Sequence, residues 1–408
     1  MLLKQTQPVA LSFALLLAFA VIAPLAHAQT YSVFYTFPSN QDGNRPQGVI
    51  KDGAGNLYGA AYYGGAHVAG AIFEINPAGQ ETVLYSFKGT PDGNGPVGVV
   101  RDAQGNLYGA TYFGGFNCQI QPNAGCGTLF KVSASGKETV LHTFGGRGDG
   151  VAPVGVVRDS KGNLYGATTN GGDFSCGGKY TWGCGTIFKL DAAGRYSILH
   201  KFAGDVNGGG PVAPPIVDAS GNIYGTAGGG TDSLGIVFKL TPNREFSVLH
   251  SFAGGPGDGC LPFSGLLRDA AGNLYGTTQG CGAFGYGTVF KLDATGNESI
   301  LYSFTGGADG SFPYAGVVED AAGNLYGTAA FGGDFDHACT LSGNTPGCGV
   351  VFELSPTGQL TVLHAFQGTT DGLWPYWGVT LDAAGNLYGV TATGGAYCGC
   401  GTVFKITP

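Results

Sequence analysis

Charge is scarce in this sequence: charged residues make up 11% of 408 positions, and the formal net charge is −8. The acidic residues are scattered rather than clustered, so the surface would repel nucleic acid and anionic lipid, and we expect neither as a partner. After residue 28 no apolar run is long enough to cross a bilayer, which predicts no membrane insertion. The sequence also lacks a nucleophile elbow, a phosphate-cradling loop, a haem motif and a zinc signature, so we expect no metal and no cofactor.

Glycine is abundant instead, at 77 of 408 residues. Each glycine inside a helix costs roughly 1 kcal/mol relative to alanine, so long helices are excluded. Aromatic residues account for 12% of the chain, which is too many for a disordered linker. Short strands between tight turns remain, and the predicted fold class is therefore all-β.

The first residues have the pattern of an export signal. Lys4 supplies a positive start, residues 9–23 form a short apolar run, and a small-x-small tripeptide ends at Ala28. We expect a signal peptide at 1–28, cleaved near Ala28, and a single mature domain at 29–408. That mature domain is expected to be secreted or periplasmic, and monomeric.

The string Gly-Asn-Leu-Tyr-Gly, or its isoleucine variant, recurs seven times and defines a tandem repeat. Its tyrosines are Tyr58, Tyr108, Tyr165, Tyr224, Tyr275, Tyr326 and Tyr388. Each copy reads as four short strands, rich in β-branched and aromatic residues and bounded by Gly, Asp or Asn. An orphan fourth strand at 31–37 comes first, and a third strand at 401–407 comes last. We therefore predict a seven-bladed β-propeller of four-stranded blades, in which the N-terminal strand closes the last blade.

The repeat resembles a known family. In the second copy, Arg-Asp-Ala-Gln-Gly-Asn-Leu-Tyr-Gly at 101–109 is followed by Gly-Gly at 114–115, Gly-Thr-Leu-Phe-Lys at 127–131 and Thr-Val-Leu-His-Thr-Phe at 139–144. This pattern recurs in register over 31–408 and resembles the GloVer (Gloeobacter/Verrucomicrobium-type) tandem repeat of exported bacterial proteins. It is similar, more distantly, to the NHL repeat and its Asp-x-x-Gly-Asn-Ile-Tyr hairpin. The resemblance implies export and architecture, and no defined chemistry.

Residues present in every repeat are explained by the scaffold, whereas a site on the ring must break the repeat. Aspartates begin each Asp-x-x-Gly-Asn hairpin, where a carboxylate can accept backbone N–H bonds. They are Asp52, Asp102, Asp159, Asp218, Asp269, Asp320 and Asp382. One strand position holds histidine or tyrosine, and we expect ring shape rather than titration to matter there. It comprises His142, His200, His250, His364, Tyr35, Tyr85 and Tyr302.

Aspartates also recur in the links between repeats. They are Asp42, Asp92, Asp149, Asp258, Asp309 and Asp371. One carboxylate per blade, spread around a wide ring, cannot converge on a calcium ion, so we interpret these residues as turn formers.

Because the strands of a blade are antiparallel, successive connections alternate between the two faces of the propeller. The first–second and third–fourth turns lie on one face and are short and uniform. The second–third and fourth–first connections lie on the other face, here called the long-connection face, and are long and variable. All ten cysteines and all three tryptophans belong to this face, which is the candidate binding surface.

An even number of cysteines in an exported chain indicates disulfides. The pairs expected from position are Cys118–Cys126, Cys176–Cys184, Cys260–Cys281 and Cys339–Cys348. A bridge between Cys398 and Cys400, and a redox role for it, are left open.

The least symmetric patch of sequence lies around blades 6 and 7. Aromatic platforms suit sugar rings, whose apolar faces stack while their hydroxyls form hydrogen bonds. The ligand-binding candidates are Trp374, Tyr376, Trp377, Phe335, Tyr397 and, in the blade 3 loop, Trp182. The alternative is that these aromatic residues only fill the wedge between blades.

Three functions follow from the sequence. The first is a non-enzymatic module that binds extracellular carbohydrate or protein through the long-connection face. The second is a carbohydrate-active enzyme, a glycoside hydrolase or polysaccharide lyase. Its acid and base would be Asp334 or Asp336 and His337, since glycosidases need two carboxylates about 5–10 Å apart. The third is a structural part of the cell envelope.

Overall fold

The computed structural model describes residues 29–176, 182–333, 339, 347–368 and 370–408. Within these residues the secondary structure consists of β-strands, bridges and turns, and no helix occurs. Seven four-stranded antiparallel sheets, here called blades 1 to 7 in chain order, form a β-propeller and confirm the predicted architecture. A further two-stranded sheet, which the sequence did not predict, lies beside blade 5.

Blades 1 to 6 each follow chain order from first to fourth strand, and blade 7 takes its fourth strand from the N-terminus. Blades 1 to 3 comprise β2 (Asn44–Lys51), β3 (Leu57–Tyr63), β4 (Ala71–Ile75) and β5 (Glu81–Ser86); β6 (Asn94–Arg101), β7 (Leu107–Phe113), β8 (Thr128–Val132) and β9 (Glu138–Thr143); and β10 (Val151–Arg158), β11 (Leu164–Asn170), β12 (Thr186–Leu190) and β13 (Tyr196–Lys201). Blades 4 and 5 comprise β14 (Ile216–Val217), β15 (Ile223–Ala227), β16 (Ile236–Leu240) and β17 (Phe246–Ser251); and β19 (Leu267–Arg268), β20 (Leu274–Thr278), β22 (Thr288–Leu292) and β23 (Glu298–Ser303). Blades 6 and 7 comprise β24 (Val318–Glu319), β25 (Leu325–Ala329), β26 (Val350–Leu354) and β27 (Leu360–Ala365); and β28 (Thr380–Leu381), β29 (Leu387–Thr391), β30 (Thr402–Thr407) and β1 (Thr30–Thr36). The small sheet pairs β18 (Gly259–Cys260) with β21 (Gly280–Cys281).

Blade 7 closes the ring as predicted. Its third strand, β30, pairs antiparallel with β1, so that Thr30 lies opposite Thr407 and Thr36 opposite Thr402. The chain then enters blade 1, where the Lys51 ammonium contacts the Asp382 carboxylate of blade 7 at 2.6 Å. The first and last repeats are thereby joined by a backbone ladder and by an ion pair, and no open edge separates them.

The core is built from phenylalanine pairs between neighbouring blades. The phenylalanine directly after each fourth strand meets the phenylalanine of the next blade's third strand, and the ring centroids are 5.0–5.4 Å apart at all seven junctions. The pairs are Phe37–Phe73, Phe87–Phe130, Phe144–Phe188, Phe202–Phe238, Phe252–Phe290, Phe304–Phe352 and Phe366–Phe404. All these side chains are buried, and their angled ring geometry adds to the hydrophobic contribution.

The repeated aspartates form the predicted turns. In blade 2, one carboxylate oxygen of Asp102 accepts the backbone N–H groups of Gln104 and Asn106 at 3.0 and 2.8 Å. The other oxygen accepts the Asn106 amide at 2.8 Å and the Tyr108 hydroxyl at 3.0 Å. Burial favours a higher pKa for Asp102, but these hydrogen bonds outweigh it and lower the pKa. The repeat motif is therefore a self-contained structural unit, and its aspartate is a scaffold residue.

Candidate functional site

The first strands of blades 1 to 3, together with the segments that precede the first strands of blades 4 to 7, surround a central cavity of about 920 Å³. Several lining residues begin a first strand or end a second strand, and both positions lie at the long-connection face. Those used below are Arg45, Gln47, Tyr62, Tyr63, Tyr112, Phe263, Tyr314, Tyr376 and Trp377. The cavity therefore opens on the face that the sequence marked as the candidate binding surface.

Aromatic side chains line the cavity on the side of blades 1 and 2. Tyr62 and Tyr63 end the second strand of blade 1, with ring centroids 4.7 Å apart, and Tyr63 is 44% exposed. The Tyr62 ring lies 6.5 Å from that of Tyr112 in blade 2. These tyrosines present half-buried rings and hydroxyl groups to the cavity.

Blades 5 to 7 continue this lining. Tyr314 of blade 6 packs edge to face against Tyr376 of blade 7 at 5.2 Å, and Tyr376 contacts Trp377 at 6.0 Å. Phe263 of blade 5 lines the same cavity. We call the set from Phe263 through Tyr314, Tyr376, Trp377, Tyr62 and Tyr63 to Tyr112 the aromatic arc.

One extra residue distinguishes the first-strand segments of blades 4 to 7 from those of blades 1 to 3. Asp52 follows Pro46 by six positions in blade 1, whereas Asp382 follows Pro375 by seven in blade 7, and blades 4 to 6 share the longer spacing. Because side chains in a strand alternate with a period of two, one inserted residue breaks the ladder. The first strands shrink from eight residues in blades 1 to 3 to two in blades 4 to 7. The segment released from the ladder carries Tyr314 and Tyr376.

Arg45 is the one charged side chain among the described residues that line the cavity. It has a left-handed φ of 60°, and its backbone N–H donates to the Cys400 carbonyl at 2.9 Å. Burial raises the pKa of Tyr62 to about 12, and the positive charge of Arg45 acts in the opposite direction on Tyr62 and Tyr376. The guanidinium therefore adds positive potential within the aromatic arc.

The structure separates the candidate ligand-binding residues into groups. Tyr376 and Trp377 line the cavity, while Trp374 lies behind them, 6.5 Å from Tyr376 and 6.4 Å from Phe331 between ring centroids. Trp182 and Tyr397 are 45% and 70% exposed, and neither is among the described residues that line the cavity.

Four other candidates lie outside the described residues: Asp334, Phe335, Asp336 and His337. The residues that sequence reasoning missed are Arg45, Tyr62, Tyr63, Tyr112, Phe263 and Tyr314. For blades 5 and 6, the longer proline-to-aspartate spacing was a signal that could have found them.

All four expected disulfides are confirmed, and Cys398 is bridged to Cys400 as well. The Cα atoms of the five pairs lie 5.2–6.2 Å apart. The bridge between Cys260 and Cys281 joins the two strands of the small sheet that the sequence did not predict. Disulfides inside or between the long connections limit the movement of the surface around the cavity.

The strand position that holds histidine or tyrosine forms polar contacts near the rim of the long-connection face. His142, His364 and Tyr302 contact the aspartate of the following link at 3.2, 3.0 and 2.9 Å. His200 agrees with the expectation that ring shape rather than titration matters at this position. Its Nε2 is buried without a hydrogen-bond partner among the described residues, and burial lowers its pKa to about 4. Tyr35 contacts Glu81 at 3.5 Å instead, and at the other five positions the ring and the link aspartate form a pair, so ring shape is only part of this position's role.

Two carboxyl groups at this rim predict a pH dependence of stability. Burial, reinforced by Asp42 and Asp92 respectively, raises the pKa of Glu81 and Glu138 to about 7. The folded protein then holds more protons than the unfolded chain between about pH 4.5 and 7, so these groups make the free energy of unfolding fall as pH rises through that window. His200 contributes the opposite slope between its folded pKa of about 4 and its ordinary value.

Urea unfolding between pH 4.5 and 8 measures this effect, with Glu81→Gln/Glu138→Gln as the comparison. Because His200 is unchanged in the variant, the difference between the two proteins isolates the glutamates. We expect the stability of the double variant relative to the wild type to increase with pH and to level off above pH 7. A constant difference would contradict the raised pKa values.

The fold and the cavity define the class of protein: a seven-bladed β-propeller whose ring is closed by its N-terminal strand and whose central cavity carries an aromatic lining. The chain belongs to the Gloeobacter/Verrucomicrobia repeat family, whose profile matches residues 21–181 and 174–339. This confirms the family resemblance seen in the repeats.

Solved structures with a similar arrangement include a gluconolactonase from Xanthomonas campestris and a candidate 6-phosphogluconolactonase from Bacteroides uniformis. The first is 14% identical with a TM-score of 0.45, over 96% of this chain and 93% of that one. The second is 16% identical with a TM-score of 0.46, over 85% of this chain and 89% of that one. Likeness at this level carries no inference about activity. Among curated proteins, none matches this sequence.

Five disulfides are typical of an oxidising, extracellular compartment. Within the described part of the chain, no helix is long and apolar enough to span a membrane.

Proposed function

We propose that this protein is a non-enzymatic binding module that recognises extracellular carbohydrate at the mouth of its central cavity. The observation that carries the proposal is the aromatic arc, which runs around one opening from blade 5 through blade 7 to blade 2. The export pattern of residues 1–28 and the five disulfides support an extracellular role.

The chemistry of the arc suits a sugar better than a generic apolar ligand. Aromatic rings cover the C–H faces of pyranose rings, and tyrosine hydroxyls exchange hydrogen bonds with sugar hydroxyls. Tyr62, Tyr314 and Tyr376 combine a half-buried ring with such a hydroxyl. Gln47, from the first strand of blade 1, adds an amide to the lining.

Arg45 indicates the class of glycan. It lies in blade 1, and its positive charge acts on Tyr62 of the same blade and on Tyr376 of blade 7. A guanidinium forms paired hydrogen bonds with a carboxylate. At an ionic strength that screens the long-range repulsion from the protein's net negative charge, we therefore expect an acidic polysaccharide such as polygalacturonate to bind more tightly than neutral chains.

The backbone that carries the aromatic arc is also held in one conformation before a ligand binds. Arg45 and Trp374 occupy equivalent positions before a proline in blades 1 and 7, and both have a left-handed φ, of 60° and 58°. Such backbones persist in non-glycine residues only where the surroundings hold them. The backbone N–H of Trp374 donates to the Cys348 carbonyl at 2.9 Å, so a residue bridged to Cys339 anchors this segment. A rigid arc loses less entropy on binding.

Affinity electrophoresis tests the proposal. Native gels containing polygalacturonate, xylan, laminarin or hydroxyethylcellulose should retard the wild-type protein with at least one polymer. The variant Tyr62→Ala/Tyr376→Ala removes one ring from each of blades 1 and 7, and we expect a loss of affinity of about tenfold to hundredfold.

Phe284→Ala is the matched control, because Phe284 is 58% exposed in a second–third connection and is not among the described lining residues. It should be retarded like the wild type. No retardation by any of the four polymers would reject carbohydrate recognition. An equal loss in both variants would reject the aromatic arc as its site.

A further inference from the structure

Four histidines occupy equivalent positions at blade junctions, and one of them has different surroundings. The next blade covers His142, His200 and His364 with a parallel aromatic ring from Tyr196, Phe246 and Tyr31, at centroid distances of 3.8, 4.0 and 3.5 Å. At His250 the next blade instead supplies a carboxylate from Glu298, the first residue of β23. The junction of blades 4 and 5 thus breaks the repeat in a chemically specific way.

The three polar side chains at this junction converge. His250 Nε2 lies 3.3 Å from an Asp258 oxygen, and ligand atoms of His250, Asp258 and Glu298 all lie within 4.8 Å of one another. Tetrahedral zinc, with bonds of about 2.0–2.2 Å, places its donor atoms roughly 3.4 Å apart, so modest side-chain rotation would close the set around an ion. Within the described part of the chain, no other group of three such ligands was found.

The neighbouring contacts position two of these ligands. Asp258 accepts the backbone N–H groups of Ala253 and Gly259, each at 2.6 Å, and the imidazole of His250 packs edge to face on the buried Phe252 at 4.7 Å. The third ligand is unsatisfied, because Glu298 Oε1 is buried and has no hydrogen-bond partner among the described residues. A buried carboxylate oxygen without a donor is costly unless a proton or a cation occupies its position.

We propose that His250, Asp258 and Glu298 bind one divalent transition-metal ion, with zinc as the ion that fits best. An imidazole nitrogen with two carboxylates is a donor set for zinc and its neighbours, whereas calcium takes six to eight oxygen ligands. Three protein ligands leave a coordination position for water. The ion would tie the fourth strand of blade 4 to that of blade 5, beside the small sheet bridged by Cys260 and Cys281.

The equivalent junction between blades 1 and 2 provides a comparison for the proposed metal site. At the junction of blades 1 and 2, Tyr85 donates to Asp92, and Glu138 lies in the place of Glu298, with a buried and unpartnered oxygen of its own. A pair of acids with an unpartnered oxygen is therefore not enough to define a metal site. The metal-ligating nitrogen is the feature that the blade 4–5 junction adds.

Zinc titration by calorimetry, together with thermal unfolding, tests the site in the disulfide-intact mature chain, purified on a tag without histidine. His250→Tyr recreates the arrangement of Tyr85 and should fold normally. Glu298→Gln removes a second ligand while conserving shape. We expect one zinc ion per wild-type chain with a raised melting temperature, and an affinity loss of at least about tenfold in each variant.

His142→Tyr is the matched control, because His142 has an aspartate partner and an aromatic cover but no third ligand. It should bind zinc like the wild type, and calcium at equal concentration should not compete. All described cysteines are in disulfides, so thiolates do not contribute to the signal. The proposal is overturned by an absence of saturable zinc binding, by binding that persists in His250→Tyr, or by effective competition from calcium.

Discussion

Deletion of residues 29–38 is expected to prevent the mature chain from folding. It removes strand β1 and with it the backbone ladder to β30. It also removes aromatic contacts from three side chains: Tyr31 stacks on His364 at 3.5 Å, Phe34 meets Tyr388 edge to face at 6.1 Å, and the fully buried Phe37 packs on Phe73 at 5.1 Å. Burial of these side chains alone is worth roughly 5 kcal/mol, comparable with the whole stability of many domains. The exposed edge of β30 would then promote aggregation.

A circular permutant distinguishes loss of the strand from loss of the terminus. Because Thr30 lies opposite Thr407, a short turn can join the two strands. The pentapeptide Asp-Ala-Ala-Gly-Arg, which links the third and fourth strands of blade 3 at 191–195, can replace Pro408 and Gln29 in a chain that starts at residue 39. We expect this permutant to fold with a melting temperature close to that of the wild type. A deletion variant that stays soluble and unfolds at the wild-type temperature would contradict the role assigned to β1.

Gly166→Ala is expected to destabilise the protein by about 3 kcal/mol, at the upper end of the usual cost of overpacking a core. A Cβ atom at Gly166 would lie 2.6 Å from the Gly155 carbonyl oxygen and would overlap the ring of Phe188. That ring is fully buried and packs on Phe144 of blade 2, so it has no free space to move into. The glycine of the Leu-Tyr-Gly motif therefore serves close packing between second and third strands.

Gly148→Ala is the control for this substitution, because a Cβ at Gly148 would meet no atom within 4 Å. Urea unfolding of both variants measures the difference. We expect Gly148→Ala to remain within about 0.5 kcal/mol of the wild type, as surface substitutions generally do. Equal stabilities for the two variants would show that the motif glycine has no packing role.

The repeat made most of the fold predictable. The repeats start with an orphan fourth strand and finish with a third strand, and this was enough to assign β1 to blade 7. The seven phenylalanine pairs also lie where the strand assignments put them. The small sheet of β18 and β21 was not predicted, because Gly259–Cys260 and Gly280–Cys281 carry no strand propensity of their own. Their pairing depends on the tertiary contact that the Cys260–Cys281 bridge closes.

The candidate site was only half predictable. Trp374, Tyr376 and Trp377 stand out in one copy of the repeat, and two of them do line the cavity. Tyr62 and Tyr112 did not stand out, since tyrosine is common throughout the repeats and their position at the cavity depends on where the second strands end. In the structure Trp374 packs behind the cavity lining, against Phe331 and Tyr376. Whether an aromatic side chain lines the cavity or packs behind it depends on tertiary packing, which the sequence composition does not show.

The histidine position shows a different limit of the sequence. The six link aspartates cannot meet at one ion, because the ring spreads them one to a blade. A local convergence is still possible, and in the structure His250 and Asp258 of one blade meet Glu298 of the next. Recognising it needs the contact between blades, because 48 residues separate His250 from Glu298 in the chain.

The most direct test of carbohydrate recognition by the aromatic arc is tryptophan fluorescence. The chain has three tryptophans, so Trp182→Phe leaves only Trp374 and Trp377, both beside Tyr376. We predict that titration with oligosaccharides of the polymer that retards the protein most will produce a saturable change in emission in Trp182→Phe, and that Tyr62→Ala in the same background will weaken it at least about tenfold. Emission that stays constant while retardation persists would place the ligand elsewhere and contradict carbohydrate binding at the aromatic arc.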